Sequence, residues 1–346
     1  MPQLLPLPRF YHPPPGILEQ LPVTRHGIRG LTPFPFQVTE GSRHPLLHVR
    51  NGESGRTVTG ICGLLPARAF HDGTVLPHER TLRGRLERQQ GLVTRDRGAL
   101  GKPVLLTVPS LEEVLSACAE PDDAEQVIFY GDDHIYRLHT RQPVSTAAID
   151  LAGPLVIADG HHRAYTHAAL GADGLYEFQY VPVVVAGADE LTIGTFLRVI
   201  DAGDPDPDTL LRSLSKYFTV TAIPAARPVA AAGRWLLSHR DRHFHLERRD
   251  GTVTDTDPGW LNAVVLPDVF GITDTRTDPR IQSVDPPVVV GGEVFFDANT
   301  RNRVKLLGRP ITRDRFFGEV QAGRTLPPKS TRFEPRVPSG LMVWIP

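Results

Sequence analysis

An apolar run, Leu155-Val-Ile157, ends in Ala158-Asp-Gly-His-His-Arg163 and passes directly into a helix-compatible segment that closes at Gly171. This is the pattern of a strand, a tight turn and a helix. Gly160 permits the sharp reversal that other residues resist. Asp159 is a natural N-cap, because its carboxylate can accept from N–H groups two or three residues on. Ala164, Tyr165, Ala168 and Ala169 give the helix an apolar face, and Gly171 suits its C-terminal stop. His161, His162 and Arg163 then fall in the first turn, where the helix dipole favours negative charge. Three donors at the positive end of a helix are in conflict with it, and a bound phosphate would relieve that conflict. The competing reading is a capped helix with solvated polar residues in its first turn.

Two further segments carry similar chemistry. Leu76-Pro-His78-Glu79-Arg-Thr81 places a carboxylate just before a helical stretch, where it could equally serve as a first-turn acid complementing the dipole. Leu326-Pro-Pro-Lys329-Ser330-Thr331-Arg-Phe333 sets a lysine and two hydroxyls in a rigid turn suited to phosphate oxygens, or to an exposed loop. Neither GxxxxGK[ST] nor a GxGxxG after a strand occurs. Seven histidines (His71, His78, His134, His139, His161, His162 and His167) raise the question of zinc. Adjacent histidines diverge on a helix, however, and His162 and His167 are five apart rather than three or four.

Thirty-three prolines and 31 glycines among 346 residues cut the chain into short elements. Strands are expected near Phe36–Thr39, Leu46–Val49, Thr57–Leu64, Lys102–Val108, Val127–Tyr130, His134–Leu138 and Tyr180–Ala186; Pro182 argues that the last is an edge or is entered early. Helices are expected over Thr81–Gln90, over Ser110–Cys118 with a Ser110/Glu113 capping box, and over Asp206–Phe218. The division that follows is a Pro-rich segment 1–57, a core 58–202 and a C-terminal α+β lobe 203–346. A net charge of -1 gives no global attraction for nucleic acid or an anionic membrane, and no basic, aromatic-interleaved patch or helix-turn-helix signal appears. The two cysteines, Cys62 and Cys118, form no framework, the N-terminal residues lack the basic start and uninterrupted apolar stretch that would lead one to expect a signal peptide, and no apolar run reaches membrane length. The expectation is a cytoplasmic protein.

Three runs, Gly73-Thr-Val-Leu-Pro-His-Glu-Arg-Thr81, Ile157-Ala-Asp-Gly-His-His-Arg163 and Leu326-Pro-Pro-Lys-Ser-Thr-Arg-Phe333 with Ser339-Gly-Leu341, together resemble a bacterial and archaeal family known as domain of unknown function 1015. Residues 76–186 are also similar to the free serine kinase branch of the ParB/sulfiredoxin-type fold, with a long insertion near 109–150. The fold implied is α/β of the α+β type: a ParB/sulfiredoxin-like core with N-terminal strands and a C-terminal lobe.

The resemblance implies a nucleotide, ATP or ADP, whose phosphates lie at Gly160, His161, His162 and Arg163, with Lys329, Ser330 and Thr331 closing over them. It implies Glu79 as general base on the hydroxyl of a free amino acid, L-serine by default, and Mg2+ bridging the phosphates. Asp159 would hold the metal or cap the helix, His162 would steady the transferring phosphate, and His78, Thr81 and Arg198 would meet the acceptor. One departure bears on specificity. Where the family usually shows Pro-x-His-Arg, this chain reads Thr195-Phe-Leu-Arg198, so that Leu197 replaces the histidine. The rival expectations are a ParB-like nucleotide-binding switch or scaffold without turnover, and another ATP-dependent phosphate reaction on the same site. Sulfiredoxin-type chemistry is disfavoured because histidine stands where that enzyme carries its reactive cysteine.

Overall fold

The computed structural model describes residues 2–14, 28, 36–79, 83–116, 126–131, 133–140, 145–250 and 256–346. Thr81 and Cys118 lie outside them. The chain forms two compact units, Met1–Thr192 with Phe333–Pro346, and Ile193–Arg332. The last fourteen residues thus return to the first unit, where Val343 bridges Tyr11 and Trp344 bridges Leu100. The unit boundary precedes the strand Leu197–Ile200, which the sequence division assigned to the core. That strand pairs instead with Ile281–Val284 and Val304–Gly308 of the second unit.

The first unit is mixed α/β, built on an eight-stranded sheet. In spatial order its strands are Val75–Leu76, Leu155–Asp159, Val104–Val108, Tyr180–Gly187, Thr57–Pro66, Leu46–Asn51, His134–His139 and Gln126–Tyr130. Leu155–Asp159 is parallel to Val75–Leu76 and antiparallel to Val104–Val108. Tyr180–Gly187 is central rather than an edge. Pro182 is tolerated because pairing to Val104–Val108 begins only at Val183, so the missing N–H falls before that ladder starts. All five residues of Val104–Val108 are buried, as are Leu155 through Ala158, the continuous apolar signature of a strand covered on both faces. The helix His161–Ala172 packs Ala164 and Ala168 into one core with Leu65, Leu106, Ile157 and Val183. Its Gly171 lies inside the helix, where the absence of a Cβ lets the Phe178 carbonyl approach to 2.5 Å of the position a Cβ would take.

The second unit is a six-stranded antiparallel sheet. The helix Pro207–Leu214, capped by Asp206 accepting from the Thr209 N–H at 3.0 Å, buries Leu210 and Leu214 in a core with Trp235, Phe218 and Trp260. Phe218, expected at the end of that helix, begins a strand. Among the described residues no helix is long and apolar enough to cross a membrane.

Candidate functional site

Strand direction explains why two motifs eighty residues apart meet. Val75–Leu76 and Leu155–Asp159 run the same way, with Leu76 opposite Val156, so both chains leave the sheet at one edge. The residues that follow are His78 and Glu79 from one strand and Gly160 to Arg163 from the other. Crevices outside the carboxyl ends of parallel strands are where α/β sheets place their ligands. Val104–Val108 runs oppositely, with Leu105 opposite Asp159, and so brings Lys102 to the same edge. A register shift between Ile157 and Asp159 re-aims the strand just before the turn.

Pairing with Val75–Leu76 ends at Val156, leaving the next carbonyl without a ladder partner. The ring of His78 takes it, Nδ1–H donating to the Ile157 oxygen at 2.6 Å. His78 is buried, stacks edge-on against His161 with centroids 4.5 Å apart, and packs on Phe333 at 5.8 Å. The His78 backbone N–H donates to His161 Nε2 at 3.5 Å. His161 is itself buried, and its Nδ1 lies 3.8 Å from Oε1 of Glu79.

The turn departs from the expected capping. The N-cap is Gly160, in the left-handed region at φ 101°, and no side chain caps the helix. Asp159 turns away instead, to Arg163 Nη2 at 3.2 Å and Lys102 Nζ at 3.4 Å. Burial pushes its carboxyl up, but Arg163, Lys102 and Arg336 together outweigh burial and hold it well below the usual carboxylate range. Lys102 is depressed by burial, with the Asp159 carboxylate opposing. Arg163 also donates to the Pro103 carbonyl at 3.3 Å. Asp159 therefore does not fit a Mg2+ ligand. The ion wants a shell of oxygens, and this carboxylate is ringed by cations. No group of three or more His, Cys, Asp or Glu among the described residues could hold a metal.

His162 is partly exposed in the first turn. His161, beside it, has Nε2 toward the His78 backbone N–H and Nδ1 toward Glu79 Oε1. Lys102 and Arg336 were missed from the sequence. Their signal was weak, a lysine before the apolar strand and an arginine in a Pro-rich tail.

The remaining expected residues belong to the second unit. Lys329, at φ 59°, lies over the Phe196 ring at 5.1 Å. Ser330 is buried and donates to the Pro327 carbonyl at 2.6 Å, and Thr331 is buried. Arg198 is buried, bonded to Ser283 and donating to the Pro328 carbonyl at 3.0 Å. With Arg309 and Asp257, Arg198, Lys329 and Ser330 line a small cleft of that unit. Cys62 is buried, and burial pushes its thiol up to about 12, which leaves it unreactive.

The first unit thus presents a surplus of cations around Asp159 in the turn, and a second carboxylate, Glu79, 3.8 Å from the His161 imidazole of that turn. A chain with this pairing can bind an anion and accept a proton. Residues 44–268 match the family described as protein of unknown function DUF1015, and the chain belongs to that family. No curated protein matches it significantly. Solved structures similar to it include a C-terminally truncated SbnI from Staphylococcus aureus (17% identity, 80% of this chain and 85% of that one, TM-score 0.47). Others are a free serine kinase variant in complex with ADP (17%, 79% and 87%, 0.42) and a conserved hypothetical protein from Pyrococcus furiosus (15%, 80% and 93%, 0.40).

Proposed function

We propose that this protein is a nucleotide-dependent phosphotransferase acting on the hydroxyl of a free amino acid, with L-serine the default acceptor. The observation that carries the reading is the shared edge at which Glu79 stands beside the cation-rich turn, 3.8 Å from the first helical residue of that turn. Lys102, Arg163 and Arg336 surround Asp159, and even with Glu334 beside Arg336 at 3.7 Å the group keeps a positive surplus. A phosphate chain answers that surplus and the dipole of the helix behind it. The motif resemblance to ParB/sulfiredoxin-type serine kinases supports the same assignment.

In the proposed reaction the acceptor oxygen forms a bond to the terminal phosphorus as the bond from that phosphorus to the bridging oxygen breaks. The hydroxyl proton passes to Glu79, and the shortened nucleotide leaves with the bond's electron pair. Such transfer depends on alignment and charge stabilisation more than on covalent help. Lys102, Arg163 and His162 steady the phosphate oxygens, and Glu79 receives the proton. No step requires Thr81, Arg198, Lys329, Ser330 or Thr331.

Glu79→Gln tests the assignment. Transfer is expected to fall at least about a hundredfold, the usual share of a general base, while nucleotide affinity measured by calorimetry stays within about threefold. Near-normal turnover in that variant removes Glu79 from the chemistry. Nucleotide binding by the wild type without acceptor-dependent turnover favours a switch or scaffold instead.

A further inference from the structure

We propose that His161 is a positioning residue for Glu79, held by His78, and not a ligand of phosphate; this deepens the phosphotransferase reading and rests on it for its kinetic consequence. Three contacts in series make the case. The Ile157 carbonyl accepts from Nδ1–H of His78 at 2.6 Å, which fixes that ring against the strand end. The backbone N–H of the same residue points at His161 Nε2, at 3.5 Å. A neutral imidazole has one donor and one acceptor nitrogen, so an accepting Nε2 puts the proton on Nδ1. That Nδ1–H faces Glu79 Oε1 at 3.8 Å, too long for a hydrogen bond and short enough to become one on a sub-ångström shift. Catalytic hydrogen bonds are often this long before the substrate arrives.

Packing holds the His161 ring in place. Its ring is 3% exposed and meets the His78 ring edge-on at an interplanar angle of 88°. Phe333, from the returning C-terminal segment, packs on the far member of the pair. A ring so enclosed keeps one orientation, which is what a carboxylate needs from a neighbour that sets its direction. The adjacent histidines of the turn therefore divide the work. His162 is partly exposed, and the buried His161 faces the base.

Two measurements test this. In the first, selective 15N-histidine labelling and long-range imidazole correlation spectra report the tautomer of His161 without any need for turnover. The Nδ1–H form is expected, and an Nε2–H form overturns the inference. In the second, His161→Ala is expected to lower kcat about a hundredfold, the scale of a catalytic group misplaced by an ångström, with nucleotide Kd changed less than about threefold. His161→Asn, whose amide nitrogen stands near the place of Nδ1, should recover at least about tenfold of that loss, whereas His161→Gln should not. A merely structural role predicts that Asn and Gln behave alike, and a phosphate role predicts weakened nucleotide binding in all three; either result overturns the assignment. Absence of wild-type turnover on any hydroxy amino acid counts against the phosphotransferase reading alone, and the tautomer still decides the placement of His161.

Discussion

Acidification should destabilise the first unit through His167, by an amount that the burial of this ring sets. His167 is fully buried on the helix behind the turn, with Nε2 donating to the Gly98 carbonyl at 3.0 Å and its ring against Phe178 at 5.2 Å. Burial lowers its pKa from 6.5 to about 4, the Gly98 hydrogen bond offsetting only part of that. The unfolded chain then binds a proton that the folded chain refuses, so stability falls as pH drops below 6.5 and the loss is complete below about 4. The full effect is about 3 kcal/mol, of which about 2 kcal/mol appears between about pH 7.5 and about pH 5. His12 and His44, also lowered chiefly by burial, act in the same direction. Asp159, whose native carboxyl is held down, loses its contribution only below its unfolded value of 3.8 and is silent in this window. The substitution His167→Gln keeps an amide N–H near Nε2 and removes the titration. Urea unfolding at the two pH values should show the variant losing about 2 kcal/mol less than the wild type on acidification. Equal losses in the two proteins would refute the argument that burial keeps this ring neutral.

Three other outcomes follow from the turn itself. Gly160→Ala should destabilise the protein by about 1–2 kcal/mol in thermal unfolding, because φ is 101° and the new Cβ would lie 2.6 Å from Arg163 Nη2. Asp159→Asn leaves Lys102, Arg163 and Arg336 without their shared anion and should cost about 2 kcal/mol or more, read by the same unfolding experiment. Lys102→Met should weaken nucleotide binding about tenfold or more in calorimetry, the worth of one charge-assisted hydrogen bond to phosphate.

Much of the first unit was legible because its signals are local. The apolar run Leu155–Ile157, the glycine after it and the alanines of the following helix each state one conformation, and the strand, turn and helix lie where those residues place them. What local signals could not give was direction. Nothing in Val75–Leu76 says that it will lie parallel to Leu155–Asp159, yet that pairing brings Glu79 to His161. Asp159 was misread for a related reason: capping preference is a property of one residue and its next three, whereas its observed partners are Arg163 one helical turn on and Lys102 from a neighbouring strand. His161 and His162 are identical as letters and differ in where the helix leaves each, one buried and one partly exposed. The boundary between units was misplaced because Leu197–Ile200 is an apolar strand that suits either sheet, and only pairing with Ile281–Val284 and Val304–Gly308 assigns it.

The most direct test of the central claim, that Glu79 and the cation-rich turn together transfer phosphate to a small hydroxyl, is phosphorus NMR of the protein incubated with ATP or ADP, Mg2+ and a panel of hydroxy amino acids. A phosphomonoester resonance of the amino acid should grow in with the wild type and be lost with Glu79→Gln. Its absence for every acceptor, with nucleotide bound, or its undiminished growth with Glu79→Gln, would contradict the account.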